Sequence, residues 1–133
     1  AKKNSFLKIE KFWKSLGCRV FKISSKLHDR LIAEVSHTPH LVASLIAASV
    51  EKRAFKFAAS GFSDTTRIAL ADKELWAEIL MMNKANVVRQ LKNFDNLIKK
   101  SISALSSGDR RRLKALLNKG KTTRLEIDKC RVK

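Results

Sequence analysis

From Leu27 to about Arg53 the chain keeps helical spacing while placing apolar residues on nearly every side of the helix it would form. Leu31, Ile32, Val35, Leu41, Val42, Leu45, Ile46 and Val50 are joined there by Ala43, Ala47 and Ala48. A helix apolar on so many sides has little face left for water, so it belongs in a core or in a subunit interface. Pro39, the single proline of the chain, falls inside it. Its ring removes one backbone donor and clashes with the preceding turn, which predicts a kink near Val35 and Ser36. A kink frees backbone groups beside His37 and His40, so it also marks a place where a site can be built.

The rest of the chain follows the same periodicity. Ser5 can cap a short helix carrying Phe6, Ile9, Phe12, Trp13 and Leu16, with Gly17 placed to end it. Cys18 to Ser24 then reads as a short strand, with Val20, Phe21 and Ile23 supplying β-branched and aromatic character. One strand cannot satisfy its own backbone groups, so it reads as the last piece of an α/β unit. Phe55 to Ser63 reads as a loop, and Ser63 or Asp64 can cap a short helix through Ala69. Asp72 can cap a long helix from Lys73 to about Ser106, whose stripe includes Leu75, Ile79, Met82, Val87, Leu91, Phe94, Ile98, Ile102 and Leu105. Ser107 and Gly108 end it, Asp109 caps a last helix through Lys119, and Gly120 closes that one. Few glycines, one proline and many Ala, Leu, Lys and Ile agree with an all-α fold. A helix of thirty-odd residues needs a partner for its stripe, which predicts a homodimer.

The 133 residues make one domain with a real core. No apolar run reaches membrane-spanning length without a charge interrupting it, and the start lacks the apolar core of a signal peptide, so the expected compartment is the cytoplasm and no membrane partner is expected. Cys18 and Cys130 lie far apart without metal-ligand spacing and read as reduced thiols. The net charge of +17 suggests nucleic acid at first sight. Its distribution argues otherwise: residues 1–26 hold eight Lys/Arg and one Asp/Glu, residues 97–133 hold twelve and three, and residues 27–96 hold nine and eight. The excess sits at the two ends, with no recognition motif beside it. A basic helical nucleic-acid-binding module is the rival reading.

The polar constellation lies in the nearly neutral centre. His37 and His40, three apart, share a helix face. They can be satisfied core histidines, metal ligands lacking a third partner, or hydrogen-bond donors for an anion. Arg67, in the segment from Asp64 to Arg67, lies near a helix start where backbone donors favour anions, and its planar fork matches a carboxylate in two parallel bonds. It can equally be a surface arginine paired to Asp64 or Asp72. Gly61 serves a turn or lets a ligand approach the backbone. Trp76 is core or a shelf for a ligand ring. The chain has no glycine-rich phosphate loop between a strand and a helix, and no spacing that argues for a nucleophile–base pair or paired catalytic carboxylates.

Taken in order, Phe12-Trp13-Lys14-Ser15-Leu16-Gly17, His28-Asp29, Ser36-His37-Thr38-Pro39-His40, Gly61-Phe62 with Asp64-Thr65-Thr66-Arg67-Ile68-Ala69, and Trp76 with Asn83 resemble the C-terminal half of the prephenate dehydrogenase family, over about residues 6 to 127. Thr38 stands where that family usually has an aliphatic residue, and Ser60 where it often has glycine. The resemblance implies an all-helical dimerisation domain of the 6-phosphogluconate-dehydrogenase C-terminal-like type over residues 26–133. Residues 1–25 would be the last helix and strand of an NAD(P)-binding Rossmann-like domain. It implies oxidative decarboxylation of prephenate to 4-hydroxyphenylpyruvate in tyrosine biosynthesis, some members preferring arogenate, with NAD or NADP held by the preceding domain. The catalytic histidine would also lie there, so this chain alone would be inactive. By position, His37 and His40 would line the pocket for substrate or for tyrosine as inhibitor, Arg67 would grip a carboxylate, Gly61 would shape the loop, and Trp76 would enter across the dimer.

Overall fold

The computed structural model describes residues 2–132, with side chains described for residues 5–130. Among the described residues there are seven α-helices and no strand. Helix α1 (Lys2–Ser15) begins ahead of Ser5, which lies inside the helix rather than capping it. Gly17, at φ +78, ends it as expected, because the left-handed turn lets Gly17 and Cys18 donate back to the carbonyls of Lys14 and Trp13.

The expected strand is absent. Residues 18–24 are irregular, with no neighbouring strand among the described residues to satisfy their backbone groups. Side chains tie this segment down instead. The Glu10 carboxylate accepts from Lys14 and Lys22, each at 2.8 Å, and these bonds hold its pKa down at about 2. Arg19 donates to the Cys130 carbonyl at 2.6 Å, near the far end of the chain. Cys18 and Cys130 are free and exposed.

Ser24 caps α2 (Ser25–Ile32) by accepting from the Leu27 amide. The kink expected ahead of Pro39 takes the form of a π-helical segment, Ala33–His37, in which the Thr38 amide bonds the Ala33 carbonyl five residues back. Pro39 then sits in the first turn of α3 (Thr38–Ala48), where its missing donor costs little. Helix α3 stops earlier than Arg53, because the Ser49 hydroxyl takes the Ile46 carbonyl. A 3₁₀ helix, Lys52–Phe57, occupies part of the expected loop. The uninterrupted run Ser25–Ala48 is long and apolar enough to cross a membrane by length and composition, with Glu34 inside it. Core helices pass the same test, and Ala33, Thr38, His40 and Ala43 on this run are buried.

Helix α4 (Ser60–Thr66) starts before the expected caps at Ser63 or Asp64, and a 3₁₀ turn, Arg67–Leu70, follows it. Asp72 caps α5 (Lys73–Met82) by accepting from the Leu75 amide at 2.8 Å. The expected single helix from Lys73 to Ser106 is two, because Asn83 leaves helical geometry at φ −112, ψ 24 before α6 (Lys84–Ser106) begins. Gly108, at φ +65, turns the chain, and Asp109 caps α7 (Arg110–Val132) through the Arg112 amide. Helix α7 runs through Gly120 without stopping. A lone glycine weakens a helix by about 1 kcal/mol, less than the helix on both sides supplies.

The π segment seats on α6, α3 packs against α4, α6 and the Arg67–Leu70 turn, and α6 lies along α7. Small side chains let these helices approach closely: the buried apolar residues are Ala33, Ala43, Val87 and Ala104. Buried beside them, the Thr38 hydroxyl has no hydrogen-bond partner among the described residues. Thr38→Val keeps the shape and removes that orphan, so chemical denaturation should show a gain of about 1 kcal/mol. A loss of similar size would mean that the hydroxyl is satisfied in the assembled protein.

Candidate functional site

His37 ends the π segment and His40 lies in the first turn of α3, so the widened turn sets how the two rings diverge. The Arg67–Leu70 turn packs on α3 and leads through Asp72 into α5, which brings Trp76 to the same place. The His40 imidazole stacks on the Trp76 indole, centroids 3.4 Å apart and planes 13° from parallel. His37 meets the same indole edge-on at 6.3 Å. A cavity of about 220 Å³ opens beside the stack, lined by His40, Leu41, Ser44, Ala69, Lys73 and Trp76 among others; His37, Gly61 and Arg67 are not in its lining.

His40 is only 7% exposed, and burial holds its imidazole below the ordinary 6.5. The ring is therefore neutral at pH 7 and presents a flat, weakly polar surface. The folded state binds this proton less readily than the unfolded chain. His40 thus supports the fold above about pH 6.5, and that support drains away as the pH falls toward the lowered folded value.

His37 has a different partner. The Asn83 side-chain amide donates to the Asp29 carbonyl at 2.7 Å and lies 3.2 Å from His37 Nδ1. Asn86 donates in turn to Asn83 Oδ1 at 2.7 Å. The break between α5 and α6 is therefore where Asn83 leaves the helix to join α2, the π segment and α6. Sequence reasoning included Asn83 in the family resemblance without giving it a role. The signal was present: the apolar stripe skips the four residues between Met82 and Val87, and asparagine competes with helical backbone bonding.

The structure brings His37, His40 and Trp76 together. Trp76 stacks on His40 of its own chain, a contact made local by the short path from α3 through the Arg67–Leu70 turn. Arg67 lies where α4 ends and the 3₁₀ turn Arg67–Leu70 begins, rather than at the start of an α-helix. It opens the turn whose Ala69 lines the cavity, is exposed, and makes no ion pair with Asp64 or Asp72. Gly61 lies in the first turn of α4, where an added Cβ would meet nothing within 4 Å, so no close backbone approach within this chain requires glycine. Among the described residues no group of three or more His, Cys, Asp or Glu is arranged to hold a metal ion.

A dinucleotide does not fit this chain's own residues. Gly17, Gly61, Gly108 and Gly120 are scattered over four places, none between a strand and a helix.

Residues 24–119 match the family model described as prephenate dehydrogenase, dimerization domain. A cyclohexadienyl dehydrogenase from Zymomonas mobilis is 31% identical over 108 residues, covering 76% of this chain and 37% of that protein. A prephenate dehydrogenase from Lactococcus lactis is 29% identical over 124 residues, covering 87% of this chain and 35% of that protein. The crystal structure of prephenate dehydrogenase from Aquifex aeolicus in complex with hydroxyphenyl propionate and NAD+ superposes with a TM-score of 0.82 at 29% identity, over 94% of this chain and 46% of that one. Synechocystis arogenate dehydrogenase shares the fold, with a TM-score of 0.83 at 23% identity over 93% of this chain and 48% of that one. The chain spans about a third of the length of the curated relatives it matches.

Proposed function

The chain belongs to the prephenate dehydrogenase family, as its dimerisation domain, and from that premise we propose that it supplies the homodimer interface and one wall of the substrate pocket of a cytoplasmic tyrosine-biosynthetic enzyme. The reaction is oxidative decarboxylation of prephenate to 4-hydroxyphenylpyruvate, or its counterpart on arogenate. Residues 1–25 end a nucleotide-binding domain that carries the catalytic histidine and takes NAD or NADP, and residues 26–133 form the helical domain. Tyrosine, which shares the ring and a carboxylate with the substrate, is a fitting inhibitor for the same pocket.

What most supports this reading is the His40–Trp76 stack beside a cavity that Ala69 and Lys73 also line, with Arg67, exposed and unpaired among the described residues, opening the turn that carries Ala69. In this assignment Arg67 binds a substrate carboxylate through two parallel charge-assisted bonds. The His40–Trp76 stack offers a flat wall to the substrate ring, His37 adds a donor, and Gly61 leaves the start of α4 open. These residues bind and orient; none of them moves a proton in the reaction.

Turnover tests it. With the nucleotide-binding domain attached, the protein reduces NAD or NADP when given prephenate or arogenate, and the chain by itself does not. Turnover by the chain alone, or none with that domain attached, overturns the reading.

A further inference from the structure

The hydrogen bonds around Asn83 decide the protonation of His37. The Asp29 backbone carbonyl can only accept, so the Asn83 atom 2.7 Å from it must be the amide nitrogen Nδ2. Asn86 Nδ2 donates to the other end, Oδ1, at 2.7 Å, in agreement with that orientation. The same Nδ2 lies 3.2 Å from His37 Nδ1, and among the described residues its second hydrogen has no other acceptor. A neutral imidazole facing a donor must accept at that nitrogen, so its one proton sits on Nε2. His37 Nε2 makes no hydrogen bond within the described residues and is not among the buried polar atoms left unsatisfied, so it is open to an incoming group. The His37 ring does not line the cavity itself; it meets Trp76, which does, edge-on, next to the His40 stack.

We infer that Asn83 is a positioning residue. It locks His37 in the Nε2–H form and turns that N–H into a fixed donor for an oxygen of the bound ring acid. The inference rests on the pocket assignment made above and deepens it. His40 and His37 divide the work: His40, buried and stacked, gives a flat surface, and His37, held from behind by an amide, gives direction. A carboxylate at position 83 would have done the opposite, since it can only accept and would draw the proton to Nδ1. Asparagine is thus the residue that leaves Nε2 protonated while also tying α2, through Asp29, to the junction of α5 and α6.

Nitrogen-15 spectra of the histidine rings in the whole protein test this without any substitution. Recorded at about pH 9, above ordinary imidazole titration, His37 should be almost wholly the Nε2–H tautomer. Asn83→Ala should give a mixture of tautomers, and Asn83→Asp should move the proton to Nδ1. Both variants lose the bond to Asp29, so a merely structural Asn83 would lower their melting temperatures without reversing the tautomer in one of them. Titration with hydroxyphenyl propionate should shift the His37 Nε2 resonance in the native protein and shift it less in Asn83→Asp. A native His37 protonated on Nδ1, or evenly on both nitrogens, overturns the inference and leaves the pocket assignment standing. A native Nε2–H ring that the ligand leaves unmoved, while Trp76 and His40 respond, also overturns it. If the ligand moves none of the three residues, the pocket assignment itself fails, and the donor role with it.

Discussion

The native chain should sediment at twice its mass at micromolar concentrations, and Phe94→Asp combined with Ile98→Asp should leave it monomeric there. Helices α3 and α6 form an apolar groove of about 470 Å³, lined by Val42, Leu45, Ile46, Leu91, Phe94 and Ile98 among others. The stripe continues along α6 through Ile102 and Leu105, which are 56% and 64% exposed, while Leu45 on α3 is 56% exposed. The buried apolar residues among those described, by contrast, are three alanines and a valine. A single chain therefore buries its small side chains and leaves its large ones outside, the reverse of the usual distribution for a monomer. A second copy laid on this face removes them from water, at roughly 25 cal/mol per Å² of apolar surface. Two-fold symmetry places each substitution in the interface twice. An unpaired buried carboxylate costs several kcal/mol, so the pair of changes should weaken association on the order of a thousandfold or more. Lys92→Glu, an exposed change elsewhere on α6, should leave the dimer intact. A native chain that sediments as a monomer, or a doubly substituted one that still dimerises, rules out this face.

How much of this was legible depended on whether the deciding interaction was local. The caps at Asp72 and Asp109 and the left-handed stops at Gly17 and Gly108 act within one turn, and their residue types announce them. The bend ahead of Pro39 was equally local in cause, although an imino acid alone does not say whether the turn will tighten, open or widen into a π segment. The break at Asn83 was only half legible: the asparagine and the gap in the stripe hint at it, but what it bonds, a carbonyl on Asp29, 54 residues away, and a ring on His37, is not local. The false strand had the right side chains and no neighbour, and a strand exists only through its neighbour. Gly120 misled in the other direction, since glycine ends a helix only where the chain also turns. At the site, the spacing of His37 and His40 placed them together. Their contact with Trp76 depended on the packing of the Arg67–Leu70 turn on α3, which no spacing rule reveals.

Arg67→Ala, made in the protein with its nucleotide-binding domain, should raise KM for prephenate or arogenate at least tenfold while leaving the melting temperature within about a degree of native. The two halves of this expectation have separate causes. Arg67 is exposed and makes no hydrogen bond or ion pair among the described residues, so truncating it removes neither, and such surface changes usually stay within about 0.5 kcal/mol. A carboxylate held by a planar fork loses both a charge and two aligned donors, each charge-assisted bond being worth about 1.5–3 kcal/mol. Even the lower figure, for one bond, corresponds to roughly a tenfold weakening. Arg67→Lys keeps the charge but loses the fork, and should recover only part of the affinity. Because the contact holds the substrate alike before and during reaction, kcat should change much less than KM. Steady-state kinetics and thermal melts on the two variants check both halves together. An unchanged KM with a collapsed melting temperature would make Arg67 a structural residue and remove the main support for placing the carboxylate there.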